Sequence, residues 1–153
     1  MGVVESRLAE LGLSVPDVVK PVAAYTPAVR TGSYVYTSGQ LPMRAGELMT
    51  TGKVGGEVTA EEAFACAQQC VLNAIAAVKA EIGDLDQVVR IVKVVAFIAS
   101  TPDFTGQPGV ANGASELLGQ AFGEAGVHAR SAVGVPVLPL DSPVEVEMVV
   151  EVA

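Results

Sequence analysis

The sequence is short of positive charge: 9 lysines and arginines stand against 17 aspartates and glutamates, a formal net charge of −8. A field of that sign repels phosphate backbones, so sequence-independent nucleic-acid binding is not expected. Cysteine is scarce too. Cys66 and Cys70 are the only 2, at the spacing of neighbours on one helix face, which excludes a disulfide framework and points both thiols to the core. The single histidine, His128, lies far along the chain, so these thiolates lack the partners of a four-ligand metal site. No apolar run approaches the roughly 20 residues of a membrane helix, because Arg, Lys, Glu or Gly interrupts every candidate. Met1-Gly2-Val3-Val4-Glu5-Ser6-Arg7 has neither the basic nor the apolar region of a signal peptide, and a cytoplasmic setting is the expectation.

What is there is apolar: 50% hydrophobic residues, 17% charged, and a mean hydropathy of +0.46 over 153 residues. A chain of this length holds one domain, here residues 1–153 with residues 1–20 as an N-terminal helical extension. Val4, Leu8 and Leu11 mark a short amphipathic helix over Val3 to Leu13. From Ala28 to Leu41, β-branched and aromatic residues flank a Gly32-Ser33 turn, a strand, a turn and a strand. Glycine-rich loop follows from Pro42 to Val58, with one short strand near Glu47 to Met49. Thr59-Ala60-Glu61-Glu62 is a capping box that opens a long helix ending at Gly83. Val88 to Ile98 is a strand apolar on both alternating sets, which needs cover on both faces. Val110 to Ala125 is a second helix, and Ser131 to Val135 with Val144 to Val152 form a closing hairpin around the prolines between Pro136 and Pro143. The last strand puts Val144, Val146, Met148, Val150 and Val152 on one face and Glu145, Glu147 and Glu151 on the other. The pattern predicts an α+β domain with helices on one side of a mixed sheet, its other face in contact with a second copy.

Arg130, just before a predicted strand, offers a planar five-donor fork suited to a carboxylate; an ion pair within or between chains is the plain alternative. Glu145 on the neighbouring hairpin strand reaches the same cleft and holds a water there, although taken alone it reads as solvated. Ser38-Gly39-Gln40 ends a strand where a glycine admits backbone amides to a ligand. His128 has no predicted partner acid or nucleophile in sequence order and reads as structural. Gly52-Lys53-Val54-Gly55-Gly56 lacks the Lys-Ser/Thr ending of a phosphate loop.

Tyr25, Val35-Tyr36-Thr37-Ser38-Gly39-Gln40-Leu41-Pro42, Asn73, Asp103-Phe104, Asn112, Ala129-Arg130-Ser131, Leu138-Pro139 and Val144-Glu145-Val146-Glu147 resemble the RidA/YjgF family of reactive-intermediate deaminases, also labelled endoribonuclease L-PSP. The match runs in order from about Val22 to the end. The resemblance implies a chorismate-mutase-like α+β fold and a homotrimer with active sites between subunits. It implies that Arg130 binds the carboxylate of 2-aminoacrylate or related imino acids and that Glu145 activates the hydrolytic water, releasing ammonia and a 2-oxo acid. Tyr25, Ser38 and Asn112 fall where the family lines its pocket, with the backbone near Gly39 and Ala132 against the ligand. No metal or organic cofactor is implied, since an imine is already electrophilic. The chain departs from the family at Ala23-Ala24, at His128 in place of proline, at Ala132, and in a longer segment from Thr105 to Ser115, the marks of a divergent sub-branch. Two rivals accompany imine hydrolysis: a non-catalytic or regulatory trimer that binds small carboxylates, and an endoribonuclease, which the net charge opposes.

Overall fold

The computed structural model describes residues 2–21 and 23–153; Met1 and Val22, where the resemblance begins, lie outside them. Chain order gives α1 (Val3–Glu10), β1 (Ala28–Thr31), β2 (Tyr34–Thr37), β3 (Met43–Arg44), β4 (Glu47–Leu48), α2 (Ala60–Ile82), β5 (Val88–Ala99), α3 (Gln107–Phe122), β6 (Ala129–Val135) and β7 (Val144–Val152). Local chemistry sets most of these limits. Gly32, at φ +58, makes the tight turn that pairs Thr31 with Tyr34. Thr59 and Glu62 cap α2 reciprocally: the Glu62 amide donates to Thr59 Oγ1 at 3.1 Å, and the Thr59 amide to Glu62 Oε1 at 3.3 Å. The helix ends where Gly83 turns to φ +80.

Three boundaries differ from the sequence expectation. α1 stops at Glu10, and Gly12 at φ +74 carries the chain into a non-helical stretch, so the N-terminal extension is helical only in its first half. α3 starts at Gln107 because Pro108, which needs no amide partner in a first turn, favours a start there; Gly123 at φ +63 then ends it, leaving a 3-10 turn over Gly123–Gly126. α2 also corrects the reading of apolar runs. Its 23 residues are long and apolar enough to cross a membrane, but 72% of the apolar window is buried inside this fold.

The closing hairpin does not form. The five-stranded sheet has the order β1-β2-β7-β5-β6, with β6 parallel to β5 and β7 antiparallel to both β2 and β5. β7 takes the centre, and its alternate residues Val144, Val146, Met148, Val150 and Val152 are all buried on the face that α2 covers. β6, with Arg130 and Gly134 among its residues, lies at the edge. α2 and α3 pack on one face of this sheet, and one apolar cluster joins them to Val4 and Leu8 of α1. Asp86 anchors α1, accepting from the amides of Val3 at 2.9 Å and Val4 at 3.2 Å. Cys66 and Cys70 are buried in the same cluster, as expected; burial pushes the Cys66 thiol up to about 11, helped by Glu62 and opposed by Arg44. On the opposite sheet face Val29, Tyr34, Tyr36 and Val133 are exposed, while Val95, Phe97 and Val149 are half-buried.

Candidate functional site

A cavity of about 570 Å³ lies where β7 begins. After β2, Gln40 and Val146 exchange backbone hydrogen bonds of 2.8 and 3.0 Å, which prolongs the β2–β7 pairing and sets Gly39 against Glu145. A Cβ at Gly39 would overlap Glu145 Oε2, so only glycine fits while the carboxylate keeps its place. Ser38 is pinned beside it: its amide donates to Pro27 O at 2.8 Å and its hydroxyl to Thr26 O at 2.6 Å. Tyr25 and Lys20 line the cavity from the segment ahead of β1. Leu140 lines it from the loop before β7, and both Leu140 (φ 60) and Asp141 (φ 59) hold left-handed backbone. That loop is fastened by the Lys53–Asp141 ion pair and by Gly52 N donating to Asp141 O at 2.9 Å.

Behind the cavity wall stands Asn73 of α2, which is buried. Its amide nitrogen donates to Leu41 O and Met43 O, each at 3.0 Å, while its oxygen accepts from Gln69 Nε2 at 3.1 Å. Every polar atom of the Asn73 side chain is thereby used, and the backbone lining the cavity is held from behind. Glu145 is half-buried there, and its carboxyl is raised from its ordinary value by burial first and by the charge of Glu147 second.

The remaining predicted site residues gather elsewhere. Arg130 donates through Nη1 to Asn112 Oδ1 at 2.7 Å and to Ser115 Oγ at 3.2 Å, and no carboxylate stands within ion-pair distance of it among the described residues. Ser115 also meets His128 Nε2 at 2.9 Å, and His128 Nδ1 meets Gly126 O at 2.6 Å. His128 therefore has the polar partners that its sequence neighbours did not reveal. Ala132 is half-buried against the apolar core on the same face of β6.

Tyr25, Ser38, Gly39 and Glu145 thus share one cavity, while Arg130 and Asn112 do not join them within the chain. Arg130 pairs with Val94 and so faces the helices; Glu145 pairs with Phe97 and faces the open side. Two strand spacings and three residues separate their backbones, on the order of 14 Å. The expectation that both approach one cleft from adjacent hairpin strands is corrected accordingly: β5 lies between those strands. Ser115 was missed as a site residue, although Asn112 and Ser115 are three apart and share a face of α3.

Residues 5–152 match a family model described as "YjgF/chorismate_mutase-like, putative endoribonuclease". Protein TCP17 of Trypanosoma cruzi is 42% identical over 98% of this chain and 94% of its own length. A 2-iminobutanoate/2-iminopropanoate deaminase of Dermatophagoides farinae is 35% identical over 90% of this chain and 93% of its own. Among solved structures, the Agrobacterium tumefaciens protein Atu1372, of unknown function, superposes with a TM-score of 0.91 at 42% identity, covering 98% of this chain and 92% of that one. The α+β architecture, the strand-end Ser38-Gly39 against Glu145, and the extent of these matches lead to one conclusion: the chain belongs to the RidA/YjgF family.

Proposed function

We propose that this protein hydrolyses imines and enamines of small 2-oxo acids, such as 2-aminoacrylate, to the 2-oxo acid and ammonia. The observation that carries the reading is the half-buried Glu145 carboxylate, held against Gly39 inside a cavity that Tyr25 and Ser38 also line. A carboxylate whose proton affinity is raised serves as a general base for water. An enamine first moves a proton from nitrogen to its terminal carbon and becomes the imine; Glu145 then takes a proton from the water as its oxygen bonds to the imine carbon and passes it to nitrogen, and the hydroxyl proton of the resulting adduct follows by the same carboxylate to nitrogen as the C–N bond breaks, ammonia departs and the carbonyl forms. Fixing water and imine in one cavity makes the attack effectively unimolecular.

The substrate carboxylate needs a cation, and Arg130 is the family-matched candidate. Because Arg130 and Glu145 belong to opposite faces of one sheet, the proposal includes a homotrimer in which Arg130 of one copy meets the cavity of the next. The exposed apolar side chains Val29, Tyr34, Tyr36 and Val133 on the open face support such an association. The relative from Dermatophagoides farinae, named as an imine deaminase, supports the chemistry. A net charge of −8 weighs against the endoribonuclease wording of the family description.

The test is ammonia and 2-oxo-acid release from imino acids generated in situ. Arg130→Ala and Glu145→Gln are each expected to lower kcat/KM at least about a hundredfold. Catalysed release that survives both substitutions would remove the proposal, as would a stable monomer in sedimentation. RNA cleavage lost on the same substitutions would replace it with the nuclease reading.

A further inference from the structure

His128 and Ser115 do not touch the cavity that holds Glu145, yet both bear on Arg130. The Gly126 carbonyl only accepts, so at 2.6 Å it fixes the proton of His128 on Nδ1. In the neutral ring Nε2 is then a bare lone pair, and the 2.9 Å contact with Ser115 has the serine hydroxyl donate to it. With its hydrogen committed, Ser115 Oγ turns a lone pair to Arg130 Nη1 at 3.2 Å, while Asn112 Oδ1 accepts from the same nitrogen at 2.7 Å. A guanidinium nitrogen of this type carries two hydrogens, and both are now spoken for. The three N–H groups left, one on Nε and two on Nη2, include the parallel pair that fits a carboxylate bidentately.

We propose that His128 and Ser115 are positioning residues for Arg130: through the chain Gly126 O, His128, Ser115, Arg130 they hold Nη1 so that the Nε/Nη2 edge is presented to a carboxylate. The inference rests on Arg130 being the carboxylate clamp of the proposed function. Without Ser115 as acceptor, Asn112 alone leaves the guanidinium free to turn about its contact. Without the lone pair on His128 Nε2, the Ser115 hydroxyl is free to rotate its hydrogen toward Arg130 and repel it.

The experiment measures pyruvate, a 2-oxo-acid probe, binding to the whole protein by calorimetry, together with KM and kcat for imine hydrolysis. The variants are Ser115→Ala, His128→Leu, His128→Gln and Arg130→Ala. Glutamine places an amide oxygen near the Nε2 position and restores an acceptor, whereas leucine fills similar volume without one. Ser115→Ala and His128→Leu are each expected to weaken pyruvate about tenfold, with KM rising more than kcat falls, and His128→Gln to return most of the affinity. In the Arg130→Ala background, Ser115→Ala is expected to have no further effect. If Arg130→Ala abolishes binding but leucine and glutamine at position 128 behave alike, His128 is structural and the inference is overturned while the proposed function stands. If Arg130→Ala binds pyruvate as the parent does, both fall together. Nitrogen NMR of the imidazole gives a check independent of activity: an Nδ1-protonated ring is expected, and an Nε2-protonated one overturns the inference.

Discussion

Gly39 faces Glu145 with no room between them for a methyl group, since a Cβ there would overlap the carboxylate oxygen. Alanine at this position is compatible with its backbone, so the substitution tests the side-chain contact alone. Gly39→Ala is expected to push the carboxylate off its place and lower kcat/KM about a hundredfold, while thermal stability changes little. Kinetics and a melting curve on the same sample check this; a variant as active as the parent takes Glu145 out of the chemistry.

The raised carboxyl of Glu145 gives two linked pH effects. As a base it must be ionised, so activity rises with pH through a midpoint above the ordinary carboxylate value of about 4.3. Because the Glu147 charge contributes to the shift, Glu147→Gln should move that midpoint down. Stability runs the other way. The folded state holds this proton more tightly than the unfolded chain, so the contribution is complete below the unfolded value and lost as pH rises through the folded one. Glu145→Gln is therefore expected to melt slightly higher than the parent at about pH 7 and to lose that advantage below about pH 4. A lower melting point at neutral pH would contradict the assignment.

Among the described residues, Asn73 is the one side chain that fastens both Leu41 and Met43 through their carbonyls. Asn73→Ala orphans Met43 O and the Gln69 amide and leaves Leu41 O with the Met43 amide alone, with an expected cost of about 3 kcal/mol. Urea unfolding measures the loss. Hydrogen exchange should quicken at Met43 and Met49, whose amides bond Leu41 O and Pro42 O, before it quickens in the sheet centre.

Gly113 marks the close approach of α3 to α2, where a Cβ would strike the Phe64 carbonyl oxygen. Gly113→Ala is expected to cost about 2 kcal/mol and roughly 6 °C in melting temperature, in spite of alanine's better helix propensity. Because Asn112 and Ser115 ride on the same helix, the variant should also bind pyruvate more weakly.

Where structure is decided by neighbours in the chain, the sequence was sufficient. The Thr59 and Glu62 box starts α2 as read, the Gly32 turn makes the hairpin as read, and the alternation of β7 names its buried face residue by residue. The proline-rich segment after Val135 suggested a hairpin because prolines mark a loop, but nothing local says which strands that loop joins. The pairing of β7 with β2 and β5 and of β6 with β5 joins distant segments, and it puts β5 between Arg130 and Glu145. The cavity half of the site was legible through Ser38-Gly39 and Glu145. The Ser115–His128 contact joins a helix to the turn before β6, a juxtaposition that no spacing announces.

The central place of β7 bears on how the chain is synthesised. Residues 144–152 are made after the other strands of this sheet, yet they separate β2 from β5 in it. A nascent chain that has emerged only through β6 holds a β1–β2 hairpin and a β5–β6 pair, each with an open edge that awaits the same missing strand. Such edges accept strands from neighbouring chains, so on a crowded polysome this domain is expected to be aggregation-prone in the interval between the emergence of β6 and that of β7.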